Sequence, residues 1–132
     1  DVIQCHEHDD NVARGCYPID IHDPDGGNTK FAFLKDGASY GIPYRCLVPL
    51  QSKNVIVAGR CLSASHEAHG STRIMATAMA TGQAAGTAAA IALANQQPFS
   101  SPDFNWAGLR QLLRQQGAIL DQRDVVVDEK SP

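Results

Sequence analysis

Asn54-Val-Ile-Val-Ala-Gly-Arg60, with the alanine-rich run from Ala76 to Ala94 that follows it, is the stretch that decides the fold. Residues 54–58, Asn-Val-Ile-Val-Ala, carry a continuous β-branched run closed by Gly59. A short run without alternation, bounded by turn residues, reads as a strand buried on both faces, as in a parallel sheet. Ten of the nineteen residues from Ala76 to Ala94 are alanine, and residues 74–102 carry no charged side chain. Alanine is the best helix former, so the composition predicts a long helix over 77–95, stopped by Pro98. Between the two lies a loop, residues 60–73, rich in Ser, His and Arg. Strand, turn and helix in that order suit the ligand-binding edge of an α/β sheet.

The long helix invites two readings. Its length would cross a bilayer, and Gly82-Gln-Ala-Ala-Gly86 is a G-x-x-x-G. Yet Thr77, Thr81, Gln83 and Thr87 are polar, and alanine and glycine gain little from lipid. A helix of such small residues instead lets another backbone or a flat ligand come close, which favours a buried helix and no membrane. Its N-terminus presents free N–H groups and a partial positive charge, which suits an anionic, flat ligand. Close helix–sheet packing without a ligand accounts for the same residues.

Outward from this centre, residues 1–30 are acidic and turn-rich, with Asp23-Pro-Asp-Gly-Gly-Asn28 a loop. That loop lacks the spacing and closing Glu of a calcium site. Phe31-Ala-Phe33 alternates as a short strand. Ser39 to Val48 reads as a second strand, with Pro43 placing it at an edge or a bulge. Near the C-terminus, Asp103 or Asn105 caps a helix with Trp106, Leu109, Leu112 and Leu113 on one stripe, ended by Gly117. Ala118-Ile-Leu120 packs after it, and the tail 121–132 is expected to fray.

At 132 residues, 43% hydrophobic and net charge −3, the chain has the composition of one soluble globular unit. It has no basic excess to drive nucleic-acid binding. Cys5, Cys16, Cys46 and Cys61 form no C-x-x-C pair and are expected to be reduced and buried, which leans toward the cytoplasm. Cys5-His-Glu-His8 carries metal-like residue types without paired ligand spacing, and no metal is expected. The chain begins at Asp1 without Met or a leader, which points to a fragment or a processed product.

Four segments resemble one family. They are Tyr40-Gly-Ile-Pro-Tyr-Arg45, Asn54 to Arg60, Ser65-His-Glu-Ala-His-Gly-Ser-Thr-Arg73 and Met79-Ala-Thr-Gly-Gln-Ala-Ala-Gly86. Together with Ala13 to His22 and Leu112 to Leu120, they are similar to the C-terminal part of a bacterial family of FAD-dependent oxidoreductases. That family is related to glutathione-reductase-type and fumarate-reductase-type flavoproteins. The resemblance implies an α/β, Rossmann-like FAD/NAD(P)-binding fold, or an α+β arrangement for the isolated piece. It also implies FAD as cofactor. Residues 1–50 would be substrate-side strands crossing back to the FAD domain, and residues 51–120 the C-terminal part of that domain. Gly59 and Arg60 would approach the pyrophosphate and ribityl chain. Many relatives have an acid where Arg60 stands, so phosphate pairing is its expected role. The stretch Met75 to Gln83, with Gly82 within it, would face the flavin pyrimidine edge.

No G-x-G-x-x-G occurs anywhere in the chain. The expectation is therefore that the N-terminal FAD-binding half is missing, either because the chain is a truncated or proteolysed product or because that half is a separate chain, and that this chain is inactive alone. The alternative is a non-catalytic binding or assembly module. The small-residue helix, if uncovered, is expected to drive self-association.

For chemistry, Arg73 and Arg45 are the candidates to bind a small-molecule substrate, since arginine suits a carboxylate or a developing oxyanion. An ion pair, for instance with Glu67, is the competing role for Arg73. His66 is a candidate general acid or base, against a loop-ordering hydrogen bond. His66-Glu-Ala-His69 is one residue short of the zinc-protease spacing H-E-x-x-H. Tyr44 either lines the cavity or packs in the core.

Overall fold

The computed structural model of the chain describes residues 1–124. Four short strands, three helices and three 3₁₀ turns make a mixed α and β architecture. Strand β1 (Asn11–Gly15) pairs antiparallel with β4 (Tyr40–Pro43), and β2 (Ile19–Ile21) pairs antiparallel with β3 (Lys30–Ala32). The register of β1 and β4 shifts between Asn11 and Ala13, with Pro43 opposite Asn11. Proline cannot donate to a ladder, so the bulge falls where the donor is missing. The run predicted to continue as a strand to Val48 instead tightens into a 3₁₀ turn, Tyr44–Leu47.

The predicted strand 54–58 does not form. Its β-branched residues lie in no helix or ladder, and Val57 N–H reaches one acceptor, Leu47 O at 2.8 Å. A central strand exists through its neighbours, and among the described residues every paired strand belongs to the two antiparallel sheets. The parallel sheet that the run suggested is accordingly not formed among the described residues.

The loop predicted over 60–73 contains helix α1 (His66–Thr72). Ser65 caps it by accepting from Ala68 N–H, and Glu67 lies in its first turn. Glu67's own backbone amide and the Ser65 hydroxyl hold its carboxyl below the usual range. Helix α2 (Met75–Asn95) starts two residues before the predicted boundary. It ends on Gln96 in the left-handed region, with Gln97 N–H on Ala92 O and Gln96 N–H on Leu93 O. Helix α3 (Trp106–Gln115) is capped by Asn105, which accepts from Gly108 N–H. It closes on Gly117 at φ +82.

The core lies where α2 and α3 meet β1 and the turn after β4. Ala84, Ala88, Ile91 and Ala92 face Leu109, Leu113, Leu120 and Val12. Small residues let the elements approach closely, and the aromatics Tyr44, Phe104 and Trp106 fill one end. Tyr44 stacks on Phe104 at 5.0 Å and meets Trp106 edge-on at 4.2 Å. Its hydroxyl donates to Phe99 O, and burial holds that phenol far above its ordinary pKa. Tyr44 is thus a core residue.

The cysteines are free, but none is buried as expected: Cys16, just after β1, and Cys61, in the 3₁₀ turn Gly59–Cys61, are exposed, and Cys5 and Cys46 are half-buried. Residues 121–124 do not fray: Asp121 pairs with Arg110 and Arg114, and a 3₁₀ turn follows (Gln122–Asp124). The rest of the predicted tail lies outside the described residues. Arg14 on β1 ties the ends together, donating to Leu120 O, Gln122 Oε1, Ser39 O and Glu7. None of the described helices is long and apolar enough to cross a membrane.

Candidate functional site

Two features meet at the start of α2. The first is its N-terminus: Ile74 is the N-cap residue and no side chain caps the first turn. A helix of 21 residues thus directs amides and partial positive charge outward beside Met75, which is 78% exposed. The second is the 3₁₀ turn Gly59–Cys61, packed against the same helix. Gly59 sits at φ +62, where a side chain would be strained. Its N–H donates to Thr81 Oγ1 at 3.0 Å, and that hydroxyl donates in turn to Thr77 O. Thr81 therefore fixes the turn to the helix. Arg60 follows in the turn, exposed, its Nε donating to Arg73 O at 3.2 Å. It forms no ion pair with any described carboxylate.

Helix α1 separates two clefts. His66, His69, Gly70 and Arg73 recur at helical spacing on one side, over a small cleft of about 110 Å³ closed by Asp20 and His22. Arg73 Nη2 donates to Asp20 Oδ2 at 3.0 Å, so its partner is Asp20 and not Glu67. Asp20 is buried on β2. His69 Nε2 lies 3.3 Å from Arg60 O, a loop-ordering contact, whereas His66 is exposed at the cleft. The other side of α1 faces a cleft of about 730 Å³ that includes Arg45, Ser63 and Glu67. Arg45 is committed there to Asp10 and to His8 Nδ1 at 2.9 Å. Burial and the Arg45 charge push the His8 imidazole below its ordinary pKa.

The structure thus brings Arg73 and His66 together and puts Arg45 in a different cleft. Arg60 joins the first group through Arg73 O. Gly82 and Gln83 lie beyond the first turns of α2. Gly82 and Gly86 face open space, since a Cβ on either would meet nothing within 4 Å. Gln83 donates to Gln116 Oε1 at 3.1 Å and borders a hollow of about 990 Å³ with Met79, Phe33 and Ile119. Sequence reasoning missed Asp20, His22 and Thr81. The signal for Asp20 was present: Ile19-Asp-Ile21 alternates, so the aspartate must face away from both isoleucines. Among the described residues no cluster of His, Cys, Asp and Glu could hold a metal ion.

An uncapped helix start, a positive-φ glycine turn clamped to it and an arginine that has no carboxylate partner among the described residues are features that suit a flat, anionic, phosphate-bearing ligand. A family model described as FAD dependent oxidoreductase matches residues 1–113, and the chain belongs to that family, whose cofactor is FAD. No curated protein and no solved structure matches the chain. The residues present fit one end of FAD. The α2 amides can face the pyrimidine edge, and Gly59 and Arg60 can face the phosphate chain. The chain contains no G-x-G-x-x-G turn to hold the adenosine half.

Proposed function

We propose that the chain forms the flavin-edge and substrate side of an FAD-dependent oxidoreductase of the glutathione-reductase and fumarate-reductase type. In this reading a separate nucleotide-binding half completes it, and the chain alone is inactive. The observation that carries this is the Thr81 clamp, which holds the Gly59-Arg60 turn against the uncapped start of α2. Bound FAD supplies the redox chemistry. Arg60 pairs with its phosphates, and the Met75 turn donates to its pyrimidine edge. Gly82 and Gln83 lie along the helix face that the other half covers. Arg73 orients the substrate, and His66 holds or releases a proton at the cleft mouth. Residues 1–50 belong to the substrate side and 51–120 to the FAD side. The extended run 54–58 joins the sheet of the nucleotide-binding half, which supplies the neighbours it lacks here.

The test is flavin binding followed by absorbance after gel filtration. The chain alone should retain little FAD, and the chain co-expressed with a nucleotide-binding half should retain one equivalent. Arg60→Ala in that complex should release flavin more readily. Stoichiometric tight binding by the chain alone would refute the need for a second half. No binding in either form would favour the non-catalytic assembly module.

A further inference from the structure

The cleft between β2 and α1 has a composition that specifies more than its place beside the cofactor edge. Its walls hold one guanidinium, three imidazoles (His22, His66 and His69) and a single carboxylate, Asp20. Arg73 spends only Nη2 on Asp20; among the described residues its Nη1 has no partner. One edge of the fork is therefore left for a ligand oxygen. Asp20 is 8% exposed, and its Oδ2 is used by Arg73. Its Oδ1 is buried and accepts no hydrogen bond. The His22 ring stands 3.3 Å from Oδ1 without the alignment a hydrogen bond requires. His22 is itself exposed, with its Nδ1 3.2 Å from Thr29 Oγ1. A buried acceptor without a donor is costly and rare in native proteins.

We propose that this cleft recognises a small 2-hydroxycarboxylate, with the carboxylate on Arg73 and the neighbouring hydroxyl donating to Asp20 Oδ1. The inference rests on the oxidoreductase reading and names its substrate class. Size agrees: a volume of about 110 Å³ holds roughly three to four waters' worth of ligand, enough for a two- or three-carbon acid. The lining agrees as well, since Arg73 and three imidazoles stand against a single carboxylate. Specificity follows from Asp20. A plain carboxylate brought beside it meets a like charge and leaves Oδ1 unsatisfied, whereas a hydroxy acid supplies the missing proton.

The experiment needs no flavin, so it can fail while the flavin reading stands, and the reverse. The chain has five histidines, and His6 and His8 lie outside this cleft as internal controls. The ring signals of the ¹³C-labelled 132-residue chain are followed by NMR at fixed pH during titration with glycolate, and separately with acetate. The expected result is a saturable shift of His66, His69 and His22 with glycolate, His6 and His8 unmoved, and binding at least fivefold tighter for glycolate than for acetate. Arg73→Lys should weaken glycolate at least tenfold. Asp20→Asn should erase the preference for glycolate while leaving acetate binding equal or stronger. No saturable shift in the wild-type chain, equal affinity for the two acids, or equal movement of His6 and His8 overturns the proposal. The wild-type titrations decide it even if a variant fails to fold.

Discussion

Gly70 shows how one missing atom sets the cleft between β2 and α1. A Cβ there would lie 2.9 Å from the Asp20 carbonyl oxygen, on backbone that cannot step aside. Gly70→Ala should therefore lift α1 from β2, cost about 1–3 kcal/mol in urea unfolding, and part Arg73 from Asp20. An unchanged urea midpoint would show that the approach has slack. Asp121 makes the complementary case in charge. Burial pushes its pKa up, but the Arg110 hydrogen bonds and the charges of Arg110 and Arg114 outweigh burial and hold it below the carboxylate range. A carboxyl lowered in the folded state stabilises above its unfolded pKa, and the gain fades as pH falls through the lowered value. The urea midpoints of wild type and Asp121→Asn should differ most near neutral pH and converge below about pH 4. At this scale the sequence was partly legible. Arg73 and His66 could be chosen by chemistry, but the aspartate that pairs with Arg73 lies 53 positions away, and spacing says nothing of that.

At the scale of elements, helices with local signals were readable. Alanine content found α2, and the leucine stripe with Asn105 and Gly117 found α3, because caps and periodicity act within one or two turns. Asn105→Ala should cost about 1 kcal/mol, read as a lower thermal midpoint with the helix retained. A midpoint equal to wild type would mean that Gly108 N–H finds another acceptor. Two elements were misread for opposite reasons. The run 54–58 has strand composition, but composition cannot supply the neighbouring strands that make a ladder. Helix α1 reads as a loop from sequence because its apolar periodicity is poor. Its signal was the cap, Ser65 with Glu67 in the first turn. Arg45 was grouped with Arg73 on residue type, and it is α1, the element not foreseen, that separates them.

The whole molecule is covered unevenly. The inner face of α2 is packed by β1 and α3, while Met79 and Leu93 on the outer face are 76% and 81% exposed. Exposed apolar surface of this kind associates. The purified chain should elute as more than a monomer, and Met79→Lys with Leu93→Glu should shift it toward the monomer on size-exclusion chromatography. A wild-type monomer would show that the face is inert. Mixed α/β architecture was legible from the whole sequence, and the absence of a parallel sheet was not, since that depends on what pairs with residues 54–58. The Arg14 contacts carry one more consequence. That side chain grips Leu120 and Gln122 from β1, across more than a hundred positions of chain. The molecule is therefore closed like a clasp, and a protease that trims the segment from Leu120 onward would loosen the first strand and the Ser39 turn together. Resistance to carboxypeptidase digestion thus reports on the N-terminal sheet, at the far end of the polypeptide from the cut.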